Sequence, residues 1–435
     1  MRCILVLMGI FVSTSIFSLE QPVLNIQHWE TKNGAEVYFV QRKELPMLDI
    51  QIVFNAGSAE DPANNLGLSS LTNAMIGENT KHLDADGIAR AFENVGAQLG
   101  NFSDRDMAGL SLRTLIEPKF LEPALTTFQA VISEANFPST AFNRLKEQTV
   151  AQLKAQQQDP WQLASNQFFQ LIYGTAVYAH NPLGTIADVN AMNQHQLMQF
   201  YQQFYVAKNA DIILVGDITT AQANSISEKL AQSLPTGNAA RTLNMAENLS
   251  KNKNAQIQYP LKQSTIMLGQ VGITRQNPNF FPLIVGNAVL GGLPLSSLLY
   301  YEIREKNGLA YVASSGFEPM ALRGPFIIAM QTKAASTQTA LTMAQTILKK
   351  FIETGPTQDE LTAAKQNLIA RFPLTLSTNS GILAVLTNIA FYHQPLNYLD
   401  VYAQNINAVT TEQVKNAFEK NIDPNKMATV IVGPR

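Results

Sequence analysis

The stretch Asp211-Ile212-Ile213-Leu214-Val215-Gly216-Asp217 is an apolar run that stops on a glycine. The chain closes on a second one, Met427-Ala428-Thr429-Val430-Ile431-Val432-Gly433. Each run is shorter than an ordinary helix and rich in β-branched residues, so each reads as a buried strand. Working outward from the first, the helix it enters is predicted near Thr220–Leu234, and upstream strands at Ala35–Val40, Leu48–Phe54 and Ser111–Leu115. Helices are predicted over Gly67–Met75, Ala85–Val95 and about Ala141–Gln158, the last stopped by Asp159-Pro160. Around the second run, strands are predicted at Ser264–Val271 and Gly324–Thr332. Helices are expected at Phe280–Leu290, across Tyr300–Glu305, at Thr337–Thr354 and at Thr357–Ala370. Runs of strands and helices without strict alternation point to an α+β chain, and the echo between the two runs to two related halves.

The chain's 435 residues exceed what one ordinary core accommodates, and 46% hydrophobic residues supply enough apolar side chain for two. The polar stretch between Pro235 and Asn254 reads as the linker, which divides the chain into 19–235, a linker 236–254, and 255–435. Net charge is −2 with no block of like charge, so the basic stripe of a nucleic-acid binder is missing. Residues 1–18 have a leader's form: Arg2, the apolar run Ile4–Val12, then Ser13, Thr14, Ser15 and Ser18. The run is too short to span a bilayer core of about 30 Å. We therefore expect a secretory signal, a periplasmic protein and no membrane span after cleavage, the alternative being an uncleaved anchor. Cys3 is the only cysteine and lies inside this leader, so the mature chain has no disulfide and no cysteine-based metal or redox site.

Ala56-Gly57-Ser58 followed by Gly67-Leu68, then Gly291-Gly292, Arg304-Glu305-Lys306 and Gly308-Leu309-Ala310-Tyr311, together with the strand endings at Gly216 and Gly433, resemble the pitrilysin-type (M16) peptidases, in particular the shorter bacterial processing-protease branch, M16B. The resemblance covers essentially the whole mature chain. It implies a LuxS/MPP-like metallohydrolase fold: two homologous halves, each a mostly antiparallel sheet packed with helices. In active members the helix after Gly-Leu carries His-x-x-Glu-His. Two histidines four residues apart share a helix face and hold Zn²⁺, and the glutamate is the general base for the bound water. Here that register places Ser70 and Ala74 at the histidine positions and Asn73 at the glutamate. A methyl group and a hydroxyl are not zinc ligands, and an amide is no general base near neutral pH. The third ligand of the family falls near Gln152, where the nearest carboxylate, Glu147, reads as a solvated helix residue. His28, His82, His180, His195 and His393 include no i, i+4 pair that could rebuild the site, although sequence alone leaves open a site assembled from distant segments.

The same resemblance assigns the second half an arginine and a tyrosine seven residues apart that contact the peptide and stabilise the transition state. Arg304 and Tyr311 have that spacing. A fixed guanidinium holds peptide carbonyls, and a phenol donates to an oxygen that becomes negative as water attacks. The alternative is a buried tyrosine and an arginine tied up in a surface ion pair. One departure is that the arginine the family often shows after Gly-Gly is absent from Ser296-Ser297-Leu298. Gly96–Phe102 would be the edge strand that adds to an extended peptide.

The expectation is a non-catalytic subunit of a heterodimeric peptidase. It would bind no cofactor itself, work with peptide substrates, and pair with a similar-sized chain carrying the zinc. The alternatives are a peptide-binding scaffold without hydrolysis and an independently active hydrolase with relocated ligands.

Overall fold

The strand order of one half is repeated in the other. In a computed structural model that describes residues 24–434, the first half runs β1 (Gln27–Glu30), β2 (Glu36–Gln41), β3 (Met47–Phe54), α1 (Leu68–Met75), α2 (Ala85–Glu93), β4 (Gln98–Ser103), β5 (Ala108–Leu115), α3 (Pro118–Ser133), α4 (Ser139–Gln156), α5 (Pro160–Tyr173), α6 (Ile186–Ala191), α7 (Gln194–Phe204), β6 (Ala210–Gly216) and α8 (Thr220–Ser233). The second runs β7 (Lys253–Gln258), β8 (Gln263–Val271), α9 (Phe280–Asn287), β9 (Ala310–Phe317), β10 (Pro325–Lys333), α10 (Thr337–Thr354), α11 (Gln358–Thr375), α12 (Asn379–Phe391), α13 (Tyr398–Ala408), α14 (Thr411–Asn421) and β11 (Ala428–Gly433). The sheets are ordered β1-β2-β6-β3-β5-β4 and β7-β11-β8-β10-β9. Stripped of β1, the first has the same order as the second, strand for strand. The pairs β2–β6 and β7–β11 are parallel and the other pairings antiparallel. The chain is thus α+β, with two sheets built on one plan. The expected leader, residues 1–18, and Cys3 lie outside the described residues.

The two apolar runs are continuous because their strands are covered on both faces. In β6, Ile212 and Leu214 join the core of the first half, while Ile213 and Val215 face the other way into a cluster with Leu383, Leu386 and Ile389 of α12. In β11, Ala428, Val430 and Val432 pack with Phe168, Phe169 and Ile172 of α5. The helix that covers the outer face of each sheet therefore comes from the opposite half. Each such buried Leu, Ile or Phe contributes about 1.5–3 kcal/mol, so either half alone would expose a wet sheet face. The exchange makes the halves one folding unit.

The helix expected at Phe280–Leu290 is α9 up to Asn287 and a π turn over Ala288–Gly292. The one expected across Tyr300–Glu305 is a π stretch, Tyr300–Lys306. Between α8 and β7 there is no helix or strand. Among the described residues no single helix is long and apolar enough to cross a membrane.

In the parallel β2–β6 pair, Asp211 stands beside Glu36. Burial first, and the charge of Glu36 second, push the Asp211 carboxyl up to about 7. A carboxyl raised in the folded state stabilises fully below its unfolded pKa and loses that contribution as pH rises through the folded value. Stability should therefore fall between about pH 4 and pH 7, by at most about 1.4 kcal/mol per pH unit from this one group. Asp211→Asn is expected to flatten that slope and to raise the melting temperature at pH 8 more than at pH 5, as read by thermal denaturation across pH.

Candidate functional site

Helix α1 is held at its start by a buried carboxylate. Asp61 accepts from the Gly67 and Ser69 N–H groups, at 2.7 Å each, and lies 3.2 Å from His180 Nε2. These are the N–H groups that a helix start leaves unpaired, and a negative charge is favoured there. The backbone 181–184 crosses directly over this start. A side chain at Gly184, whose φ is +75°, would run into the Leu66 carbonyl.

On α1, Ser70 and Ala74 share one face, and Asn73 points inward. The Ser70 hydroxyl donates to the Pro182 carbonyl at 2.8 Å. The Asn73 amide group donates to the Phe102 carbonyl of β4 at 2.8 Å, and its oxygen accepts from the Tyr205 hydroxyl at 3.0 Å. Asn73 is buried, and Tyr205 is fully buried, which pushes its phenol well above the ordinary value. The three positions therefore do not fit a zinc ion: one side chain has no donor atom and the polar groups of the other two are engaged by protein. Asn73 is now a tie between α1, the edge strand β4 and the end of α7.

On α4, Glu147 and Gln152 are both exposed, and the buried positions are Ala141, Phe142 and Leu153. No three His, Cys, Asp or Glu side chains among the described residues are grouped so as to hold a metal ion. His28 pairs with Glu36 at 2.6 Å and His180 with Asp61, while His82, His195 and His393 are exposed. The sequence reading did not identify Asp61, His180, Phe102 or Tyr205 as the partners of this region. The only signal available was the carboxylate placed a few residues ahead of the helix.

In the second half, Arg304 lies in the π stretch and Tyr311 near the start of β9, the edge strand of its sheet. Gly308, at φ +60°, turns the chain between them; its N–H donates to Arg304 O at 3.0 Å, and Leu309 N–H donates to Ile303 O at 2.9 Å. Strand β9 is fixed from behind by two buried hydrogen bonds, Asn287 Nδ2 to Ser315 O at 3.1 Å and Ser315 Oγ to Asn287 Oδ1 at 2.7 Å. Tyr311 is 53% exposed, and the Arg304 guanidinium carbon lies 5.0 Å from the centre of the Tyr300 ring. Neither side chain has a hydrogen-bond or ion-pair partner among the described residues, so the buried-tyrosine alternative is not the geometry found. At the loop where the family arginine is absent, Leu295 has φ +68° and is 70% exposed, and the Ser297 hydroxyl is buried without a partner.

Strand β4, the expected peptide-adding edge, pairs with β5 on one side only. Its Phe102 carbonyl is the one taken by Asn73.

The family descriptions "Insulinase (Peptidase family M16)" and "Peptidase M16 inactive domain" match residues 39–185 and 191–368. A crystal structure of a peptidase M16 inactive domain from Pseudomonas fluorescens is 38% identical in sequence and superimposes with a TM-score of 0.91, covering 95% of this chain and 99% of that one. The chain belongs to peptidase family M16. A further relative of this M16 chain, the "Non-peptidase homolog YmxG" of Helicobacter pylori, is 25% identical over 99% of this chain and 97% of its own length. The periplasmic protease PqqL of Escherichia coli shares the fold at 17% identity, with a TM-score of 0.78 over 94% of this chain and 46% of that one.

Proposed function

We propose that this M16 chain is the non-hydrolytic subunit of a two-chain peptidase. It would place Arg304 and Tyr311 against a peptide held by a partner chain of similar size that carries His-x-x-Glu-His and its zinc. The observation that carries this reading is a contrast between the halves. The general-base position is an asparagine committed to two protein hydrogen bonds, whereas the arginine and tyrosine face solvent with no hydrogen-bond partner among the described residues. A pair of side chains kept exposed and unsatisfied suits contact with something outside the chain. The relatives described as non-peptidase and as inactive domain agree with a chain that does not hydrolyse peptides itself. With the leader removed, the complex would work in the periplasm.

The test is to purify this chain and a zinc-type M16 chain from the same cell, separately and together, and to assay peptide hydrolysis. Activity is expected only in the mixture. In the mixture, Tyr311→Phe should lower kcat by about 10²-fold, the scale of losing one donor to a developing oxyanion. Arg304→Ala should act mainly through KM. A mixture no more active than the zinc chain alone rules the proposal out and leaves the scaffold reading.

A further inference from the structure

We propose that the cavity at Glu60 is a receptor for an organic cation, a guanidinium or alkylammonium group. Glu60 ends the short turn Ser58–Glu60 that precedes α1 and is only 4% exposed. Neither of its carboxylate oxygens has a hydrogen-bond partner among the described residues. A buried carboxylate without a donor is costly, and such groups are normally paired or bonded. Here the carboxylate lines a cavity of about 410 Å³. Its other polar walls are the linker's Arg241 and neutral amides: Asn65 and, at i, i+3 and i+7 on one face of α7, Gln196, Gln199 and Gln203. Gln196 already accepts from the Asn193 N–H at 2.9 Å and donates to Asn65 Oδ1 at 3.0 Å, which leaves the carboxamide oxygens of Gln199 and Gln203 to accept the N–H groups that a cation has left after meeting one carboxylate. A lone carboxylate among amides lacks the ligand set of a divalent metal.

The chain itself shows the matching chemistry. Arg241 of the linker stands with its Nε 3.8 Å from Glu60 Oε2, too far for a hydrogen bond, and its side chain is 75% exposed. It is a loosely held competitor that a better-placed cation would displace. The charged groups around Glu60 are this arginine and Asp61, which is turned to the start of α1 and to His180. Burial, opposed by Arg241, raises the Glu60 carboxyl to about 7, so binding should strengthen as pH rises from 6 to 8.

Calorimetric titration of the full mature chain with agmatine and with the peptide acetyl-Gly-Arg-Gly-amide, at pH 6 and pH 8 and constant ionic strength, tests this. Saturable binding of either probe that tightens at pH 8 is expected. The probe that binds tells a free amine from a side chain of a polypeptide. Arg241→Ala should tighten binding a few-fold, since an exposed ion pair is weak. Glu60→Gln, which keeps the shape, should weaken it at least about tenfold. Absence of saturable binding by both wild type and Arg241→Ala overturns the proposal. So does binding that is indifferent to pH, a criterion needing no variant to fold, or binding that Glu60→Gln leaves intact.

Discussion

Asp106→Ala is expected to destabilise the chain by on the order of 4 kcal/mol and to lower its melting temperature by about 5 °C, because it removes the acceptor at which the halves meet. Asp106 lies in the turn between β4 and β5 and is buried. It accepts from the Tyr178 hydroxyl of the first half, and from the Tyr392 hydroxyl at 3.0 Å and the Ala321 N–H at 2.9 Å of the second. Both phenols are held far above their ordinary pKa, by burial first and the Asp106 charge second, so they remain donors. Alanine leaves two buried phenol donors facing a void, each costing about 1–3 kcal/mol and partly recovered if water enters, and the part-buried Ala321 N–H without its acceptor. Tyr392→Phe removes one donor and should cost about 1 kcal/mol. In the background of Asp106→Ala it should cost less than it does alone, and that coupling is the signature of a shared site. Equilibrium denaturation of the single and double variants provides the measurement. A loss within 1 kcal/mol for Asp106→Ala would show that the exchanged helices alone hold the halves together.

That junction was invisible in the sequence, and so was the exchange of helices around it. The strands β3, β6, β8, β10 and β11 were legible because β-branched and alternating residues leave a local signal. The paired halves were legible because β6 and β11 echo one another. Helix α5 was not, since Asp159-Pro160 reads as a stop. Its carboxylate in fact accepts from the Trp161 N–H and Pro160 occupies the first turn, so the same two residues end α4 and open α5. Even a correctly read α5 would not have revealed its destination, because an apolar face specifies burial and leaves open which sheet it meets. Strand β7, Lys-Asn-Ala-Gln-Ile-Gln, is a polar edge strand with little alternation to detect. At α1, the residue types at the positions the resemblance assigns to the metal ligands were legible one by one. The partners they take were not, because Phe102 and Tyr205 reach Asn73 from distances of 29 and 132 residues along the chain.

The triple replacement Ser70→His, Asn73→Glu, Ala74→His, which writes the metal motif back into α1, should yield a less stable chain and no tightly held zinc. A glutamate at 73 is an acceptor only, so it cannot donate to the Phe102 carbonyl as the Asn73 amide does. The two oxygens would face each other in a buried setting, and of the two present bonds only that from Tyr205 could survive. Histidine at 70 removes the hydroxyl that reaches the Pro182 carbonyl, and histidine at 74 adds a ring where a half-buried methyl sits. Overpacking and a repelled acceptor pair together point to a loss on the order of 3–5 kcal/mol, felt first as loosening of β4. The buried positions of α4 offer Leu153, Phe142 and Ala141 and no carboxylate, so two imidazoles would hold the ion without a third ligand. Asn73→Glu alone, measured by denaturation and by hydrogen exchange of the β4 amides, isolates the structural part. Unchanged protection in β4 would mean that the Asn73 tie is incidental. Stoichiometric zinc surviving dialysis of the triple variant would mean that the α1 backbone still supports a zinc site and that the Asn73 and Ser70 hydrogen bonds do not exclude one.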